Sequence, residues 1–174
     1  MLFRSVGYHL ARYLVEAGAS VYGADVHRAN VERAVMELGI SAVTPAEVLS
    51  LPVDILAPCA MGGVLNDTNI AAIKAGIVAG AANNQLAAPH HAIELAERGV
   101  LYCPDFVINA GGIIDVHCQR SGATAEVLRA RIDGIRNHLS EIFRRSEREA
   151  IDTHSIAEQL AANVLQQARL PRAS

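Results

Sequence analysis

The chain has 174 residues, 51% of them hydrophobic, with a formal net charge of −3; that length suits one domain with a real core, and that content excludes disorder. No basic face points to nucleic acid or a membrane surface, no apolar run reaches the roughly 18 residues a span requires, and no secretory signal is expected at the start. The three cysteines, Cys59, Cys103 and Cys118, are odd in number and widely spaced; they fit neither a disulfide framework nor a zinc site, so a reducing cytoplasm is the expected compartment.

In chain order the pattern alternates helices and strands. Residues 8–17 read as a helix with Leu10, Tyr13 and Leu14 on one face and Gly18 as its stop. Residues 20–25 read as a strand, and residues 29–38 as a helix stopped by Gly39. Thr44-Pro45-Ala46-Glu47 combines capping-box spacing with proline at the first helical position. A strand over 54–59, a helix over 67–75 stopped by Gly76, and a buried strand over 77–81 follow. A helix over 89–98 stops at Gly99, and residues 100–103 and 106–109 read as short strand pieces.

After Gly122 the pattern changes. Val127, Leu128, Ile132, Ile135, Leu139, Ile142 and Phe143 recur at three- and four-residue spacing, with charged residues between them. This predicts a long amphipathic helix, packed against the sheet or, secondarily, lining a substrate pocket. Ser155-Ile156-Ala157-Glu158 has the spacing of a capping box opening a last helix. The expected class is therefore α/β: a Rossmann-like, doubly wound parallel sheet with C-terminal helices.

Two runs carry most of the functional signal: Gly80-Ala81-Ala82-Asn83-Asn84-Gln85-Leu86, and Pro104-Asp105 through Asn109-Ala110-Gly111-Gly112. Each reads as an apolar stretch ending in small residues and asparagine. Small residues let backbone approach a flat ligand, and an asparagine amide both donates and accepts. With a helix between them, they predict two parallel strands whose carboxyl ends share one crevice.

Val6-Gly7 at the start of the first helix has the look of the tail of a glycine-rich dinucleotide turn. Asp25, 18 residues further on at a strand end, suits contact with ribose hydroxyls and would repel a 2′-phosphate, favouring NAD over NADP. The alternative is that Asp25 caps the following helix; Arg28 keeps NADP open. Pro58-Cys59-Ala60-Met61-Gly62-Gly63 again places small residues after a strand. Cys59 has no positioned base and reads as buried and inert. His90-His91 reads as a pair of exposed histidines, and no metal site is expected.

The start departs from a complete fingerprint: Leu2 and Arg4 stand where glycines belong, and the apolar strand ahead of the turn is missing. In strand order 3-2-1-4-5-6 that strand is central. Residues 1–5 are accordingly expected to be non-native; Leu2-Phe3-Arg4-Ser5 is what the adapter-like stretch CTCTTCCGATCT encodes. Residues 6–122 are expected to form the dinucleotide-binding core, and residues 123–174 the C-terminal helices of the same domain.

Taken in order, the Pro58–Gly63, Gly80–Leu86 and Pro104–Gly112 motifs resemble the glutamate/leucine/phenylalanine/valine dehydrogenase family in its C-terminal, NAD-binding domain. The resemblance implies reversible oxidative deamination of an L-amino acid to a 2-oxo acid and ammonia. By motif position it implies that Gly7 is the last glycine of the phosphate turn and that Asp25 holds the adenosine ribose. It implies that Ala60 and Ala81 pack near the cofactor and that Asn83 and Asn109 face the nicotinamide half. The family's catalytic lysines and aspartate belong to another domain, which would also bring the amino-acid substrate. Lys74 is this chain's only lysine and reads as solvated, so no catalytic residue is assigned here and the chain alone is expected to be inactive. The run Gly112-Ile113-Ile114-Asp115-Val116-His117-Cys118 departs from the Gly-Gly-Val-Ile-Asn usual in leucine and phenylalanine dehydrogenases. A leucine-, valine- or phenylalanine-like substrate and a full-length homo-oligomer are expected. The competing readings are a non-catalytic NAD-binding module and a Rossmann oxidoreductase acting on a hydroxy acid.

Overall fold

The computed structural model describes residues 5–169, so the expected non-native start lies outside the described residues except for Ser5. Helix α1 (Ser5–Glu16) leads to strand β1 (Tyr22–Gly23), helix α2 (Arg28–Leu38) and strand β2 (Ser41–Ala42). Strands β3 (Ile55–Leu56), β4 (Ile77–Val78) and β5 (Leu101–Tyr102) follow, with helix α3 (His90–Glu97) between the last two. The chain continues as α4 (Asp105–Ile108), α5 (Gly111–Arg120), α6 (Ala125–Glu149) and α7 (Thr153–Arg169).

Among the described residues the strands pair in parallel and form two sheets, β2–β1 and β3–β4–β5. Register pairs Tyr22 with Ser41, Ile55 with Ile77, and Ile77 with Leu101. Among the described residues β1 and β3 do not pair. Helix α1 connects the two sheets by packing: Ala11, fully buried, shares a cluster with Val21 and Ile40 from the first sheet's approaches and with Ala57 and Cys59 beyond β3. The main core lies against the second sheet and holds Leu56, Leu65, Ile70, Ile73, Val78, Leu95 and Tyr102.

Several expected elements change. Residues 67–75 do not form a helix but a turn and a single 3-10 turn over Ile70–Ala72. The Asn66 and Asn69 side chains take the backbone partners that a helix would use: Asn69 Nδ2 donates to the Val64 carbonyl and Asn66 N–H donates to Asn69 Oδ1. The Thr44–Glu47 box forms, with Thr44 N–H donating to Glu47 Oε2 and Glu47 N–H to Thr44 Oγ1. It opens only a short 3-10 turn, Val48–Ser50, because Leu51 before Pro52 is held extended (ψ 138°).

Residues 106–109 are not a strand: Asp105–Ile108 is helix α4, started by Pro104 and with Asp105 in its first turn. The last helix begins at Thr153, two residues before Ser155. Asp152 is its cap, accepting the Ser155 N–H at 2.9 Å, so Ser155–Glu158 is not a capping box. Helix α6 packs on α4, α5 and α7 rather than on the sheet. Ile142 is buried with Ile156 and Ala157, while Val127 and Ile132 stay exposed.

Candidate functional site

The carboxyl ends of β3 and β4 are locked together by backbone. Ala82 N–H donates to the Pro58 carbonyl at 3.0 Å, Gly63 N–H to Asn84 O at 2.6 Å, and Leu65 N–H to Gln85 O at 3.0 Å. A Cβ on Gly80 would overlap the Pro58 backbone, and one on Gly62 would press on the carbonyls of Asn83 and Asn84. These two glycines exist for close approach of chain to chain. The fully buried Gln85 draws the second loop into a turn, its Nε2 donating to the carbonyls of Gly80 (2.7 Å) and Ala82 (3.0 Å).

Onto this frame the structure brings five of the eight candidate residues. Cys59 is buried, with Ala60 and Ala81 half-buried beside it at the strand ends. Burial pushes the Cys59 thiol up from its ordinary value, which keeps it protonated and inert. Asn83 and Asn109, 26 residues apart, meet directly: Asn109 Nδ2 donates to Asn83 Oδ1 at 2.5 Å. The expected juxtaposition therefore exists, although Asn109 ends helix α4 rather than a strand.

Val6 and Gly7 lie in the first turn of α1, Gly7 buried and Val6 exposed. Tyr8, Leu10 and Ala11 of that helix share a cluster with Cys59 and Ala81, so the amino end of α1 belongs to the same region. Asp25 sits half-buried just beyond β1. Its Oδ1 accepts the His27 N–H at 2.8 Å and its Oδ2 accepts Asn30 Nδ2 at 3.2 Å. It thus organises the turn before α2, and each oxygen keeps a further lone pair for a hydroxyl. Arg28 is paired with Glu32 at 2.7 Å on the exposed face of α2. Lys74 is exposed.

Asp105 and Tyr102 complete the arrangement, and neither was singled out from the sequence. The Asp105 carboxylate, 6% exposed, accepts the Tyr102 hydroxyl at 2.9 Å and the Asn84 N–H at 2.5 Å. Asn84 adopts a left-handed conformation (φ 52°), which asparagine tolerates better than most residues. Burial, then the adjoining Asp105 charge, pushes the Tyr102 hydroxyl far up, so it stays a donor at neutral pH. The signal for this contact was local in part, since Tyr102 and Asp105 are three residues apart, but Asn84 is 21 residues away.

His91 corrects the reading of two exposed histidines: it is 1% exposed, and only His90 is open to solvent. Its Nδ1 accepts the Ala88 N–H at 3.0 Å, fixing the ring at the start of α3.

The family model described as Glutamate/Leucine/Phenylalanine/Valine dehydrogenase matches residues 21–173. Leucine dehydrogenase of Geobacillus stearothermophilus is 38% identical over 168 residues, covering 97% of this chain and 46% of its own length. The crystal structure of L-tryptophan dehydrogenase from Nostoc punctiforme aligns with a TM-score of 0.91 at 38% identity, covering 95% of this chain and 50% of that one. Hetero-hexameric glutamate dehydrogenase from Thermus thermophilus, in a Leu-bound form, aligns with a TM-score of 0.73 at 23% identity, covering 99% of this chain and 46% of that one, a likeness of fold alone. The chain spans about half the length of the curated relatives it matches.

Proposed function

Because the chain belongs to the glutamate/leucine/phenylalanine/valine dehydrogenase family, we propose that it is the NAD-binding half of an amino-acid dehydrogenase, inactive without a substrate-binding partner segment. The observation that carries this reading is the Asn83–Asn109 amide pair, held at 2.5 Å where the loops after β4 and β5 converge. Two amides there offer both donors and acceptors to the carboxamide of a nicotinamide ring.

The remaining candidates fit a dinucleotide in order. The amino end of α1, with Val6 and Gly7, offers backbone N–H groups and a positive dipole end to a pyrophosphate. Asp25 takes the adenosine ribose through its spare lone pairs and disfavours a 2′-phosphate. Glu32 engages Arg28, which weakens the case for NADP. Cys59, Ala60 and Ala81 form a wall of small side chains along which a flat ligand lies against backbone. When held by these residues, NAD would supply a hydride acceptor for oxidation at the substrate's α-carbon. The chain's own residues bind and orient; its one lysine, exposed Lys74, lies outside this constellation, so proton handling falls to the partner segment.

The split sheet supports a strand order of β2–β1–x–β3–β4–β5, where x is one further parallel strand running ahead of α1. Helix α1 already lies across both sheets. The substrate proposed is an apolar L-amino acid, on the strength of the leucine and tryptophan dehydrogenases among the relatives. Assembly of the whole protein into an oligomer is proposed with it. The three free cysteines, all buried, agree with a reducing compartment.

Calorimetric titration with NAD tests the reading, followed by assays with leucine, valine, phenylalanine and glutamate. The expected result is one NAD bound per chain and no turnover, with turnover appearing when the substrate-binding half of a leucine dehydrogenase is added. Turnover by the chain alone, or a folded chain that ignores NAD, overturns it. A purely binding module would bind NAD and stay inactive in the mixture.

A further inference from the structure

Four side chains outside the nucleotide site converge at the start of α3. Asp67, His90, His91 and Glu94 bring one potential ligand atom each to within 4.8 Å of one another. They come from two places: the asparagine-rich turn after β3 and the first turns of α3. His90 and Glu94 are four residues apart, so they share one face of the helix. Their Nε2 and Oε1 atoms are 3.8 Å apart, and His90 Nε2 lies 3.1 Å from Asp67 Oδ1.

The tautomer of His91 decides what each residue can do. Its Nδ1 accepts the Ala88 N–H, so the lone pair of that nitrogen is in use. The neutral ring then carries its proton on Nε2, which donates to Asp67 Oδ1 at 2.9 Å. His91 is therefore no ligand. It is a buried donor that holds an otherwise exposed carboxylate in place, the usual relation between a ligating group and its supporting hydrogen bond. His90 has no such backbone restraint on its ring. His90 Nε2 hydrogen-bonds Asp67 Oδ1 at 3.1 Å, and a cation would displace that proton to engage this nitrogen, the Glu94 carboxylate and Asp67 Oδ2, the oxygen that His91 does not hold.

We propose that Asp67, His90 and Glu94 form a site for a zinc-type divalent cation, with His91 as the anchor that aims Asp67. Two carboxylates match the charge of a divalent ion and outweigh the positive end of α3. One imidazole nitrogen selects zinc or its transition-metal neighbours over magnesium and calcium, which favour all-oxygen sets. Three protein ligands leave room for water to complete a tetrahedron. The site staples the turn following β3 to the helix that follows β4, and these flank the Leu65–Leu86 bridge. Cation binding therefore stabilises the two loops that carry the nucleotide wall.

The test uses the purified chain, titrated with zinc chloride against a chromogenic chelator and melted with and without zinc. One equivalent of zinc is expected to bind and to raise the melting midpoint, while magnesium does neither. His90→Gln and Glu94→Gln, both at solvent-open positions, are each expected to weaken zinc binding roughly tenfold or more and to abolish the midpoint shift; His91→Asn weakens it by a similar factor with all three ligands intact. If the zinc-free chain shows no cooperative melt, zinc should confer one on the wild type and not on H90Q. Zinc binding that is absent, or unchanged in both ligand variants, overturns the proposal. Neither readout involves a nucleotide, so its failure is separate from failure of the NAD reading.

Discussion

Asp105 ties the loop after β5 to the loop after β4. One carboxylate oxygen accepts the buried Tyr102 hydroxyl and the other accepts the part-buried Asn84 N–H. Asp105→Ala would leave the buried Tyr102 hydroxyl without its acceptor, at about 1–3 kcal/mol, and would release the part-buried Asn84 N–H to solvent. Chemical denaturation should show a loss in that range or above, and NAD affinity should fall as the Asn83–Asn84 turn relaxes. Asp105→Asn should be milder, since one amide oxygen still accepts and the tyrosine hydroxyl can turn to accept in its place. Equal losses in the two variants would show that packing, not hydrogen bonding, sets the role of this residue. In the sequence, the nearness of Asn83 and Asn109 was legible because both follow apolar runs with a helix between them, and the two amides do meet. The role of Asp105 was not legible, because its key partner is 21 residues away and only the fold reveals it.

At the scale of elements, periodicity read well wherever a helix had an apolar face and a clear stop. Helix α2 ends at Gly39 in a left-handed conformation (φ 69°), as its glycine suggested. It read poorly where side chains compete for the backbone, as in the Asn66–Asn69 turn, and where a four-residue apolar stretch had no period to show. Residues 106–109 are such a stretch: β-branched composition suggested a strand, and proline followed by aspartate made a helical turn instead. Helix α6 ends without the residue its geometry asks for, since Ala150 sits at φ 54° in the left-handed region. Ala150→Gly should therefore stabilise the chain by about 1 kcal/mol, seen as a raised denaturation midpoint at unchanged slope. A fall in the midpoint would mean that glycine's greater freedom in the unfolded chain outweighs the relief of strain.

Among the described residues the molecule is a parallel α/β fold in two sheets, with no pairing between β1 and β3. The parallel strand directions were legible in the sequence, as were the helices between β1 and β2 and between β4 and β5; the helix expected between β3 and β4 does not form. The strand lengths were not legible: hydrophobic runs of five or six residues yield ladders of two, the remainder leaving the sheet as loops. Amide hydrogen exchange should accordingly be slowest in β4, paired on both sides, and distinctly faster in β1 and β3. Equal protection in all three would mean that a strand from another copy occupies the gap. The contact between Gly80 and Pro58 carries a different consequence. Main chain meets main chain there, so the spacing between the two loops is set without any side chain taking part. A variant that probes the proposed cofactor preference should hold positions 58 and 80 constant, keep Asp25 as the organiser of its turn, and change Arg28, whose side chain lies exposed on α2.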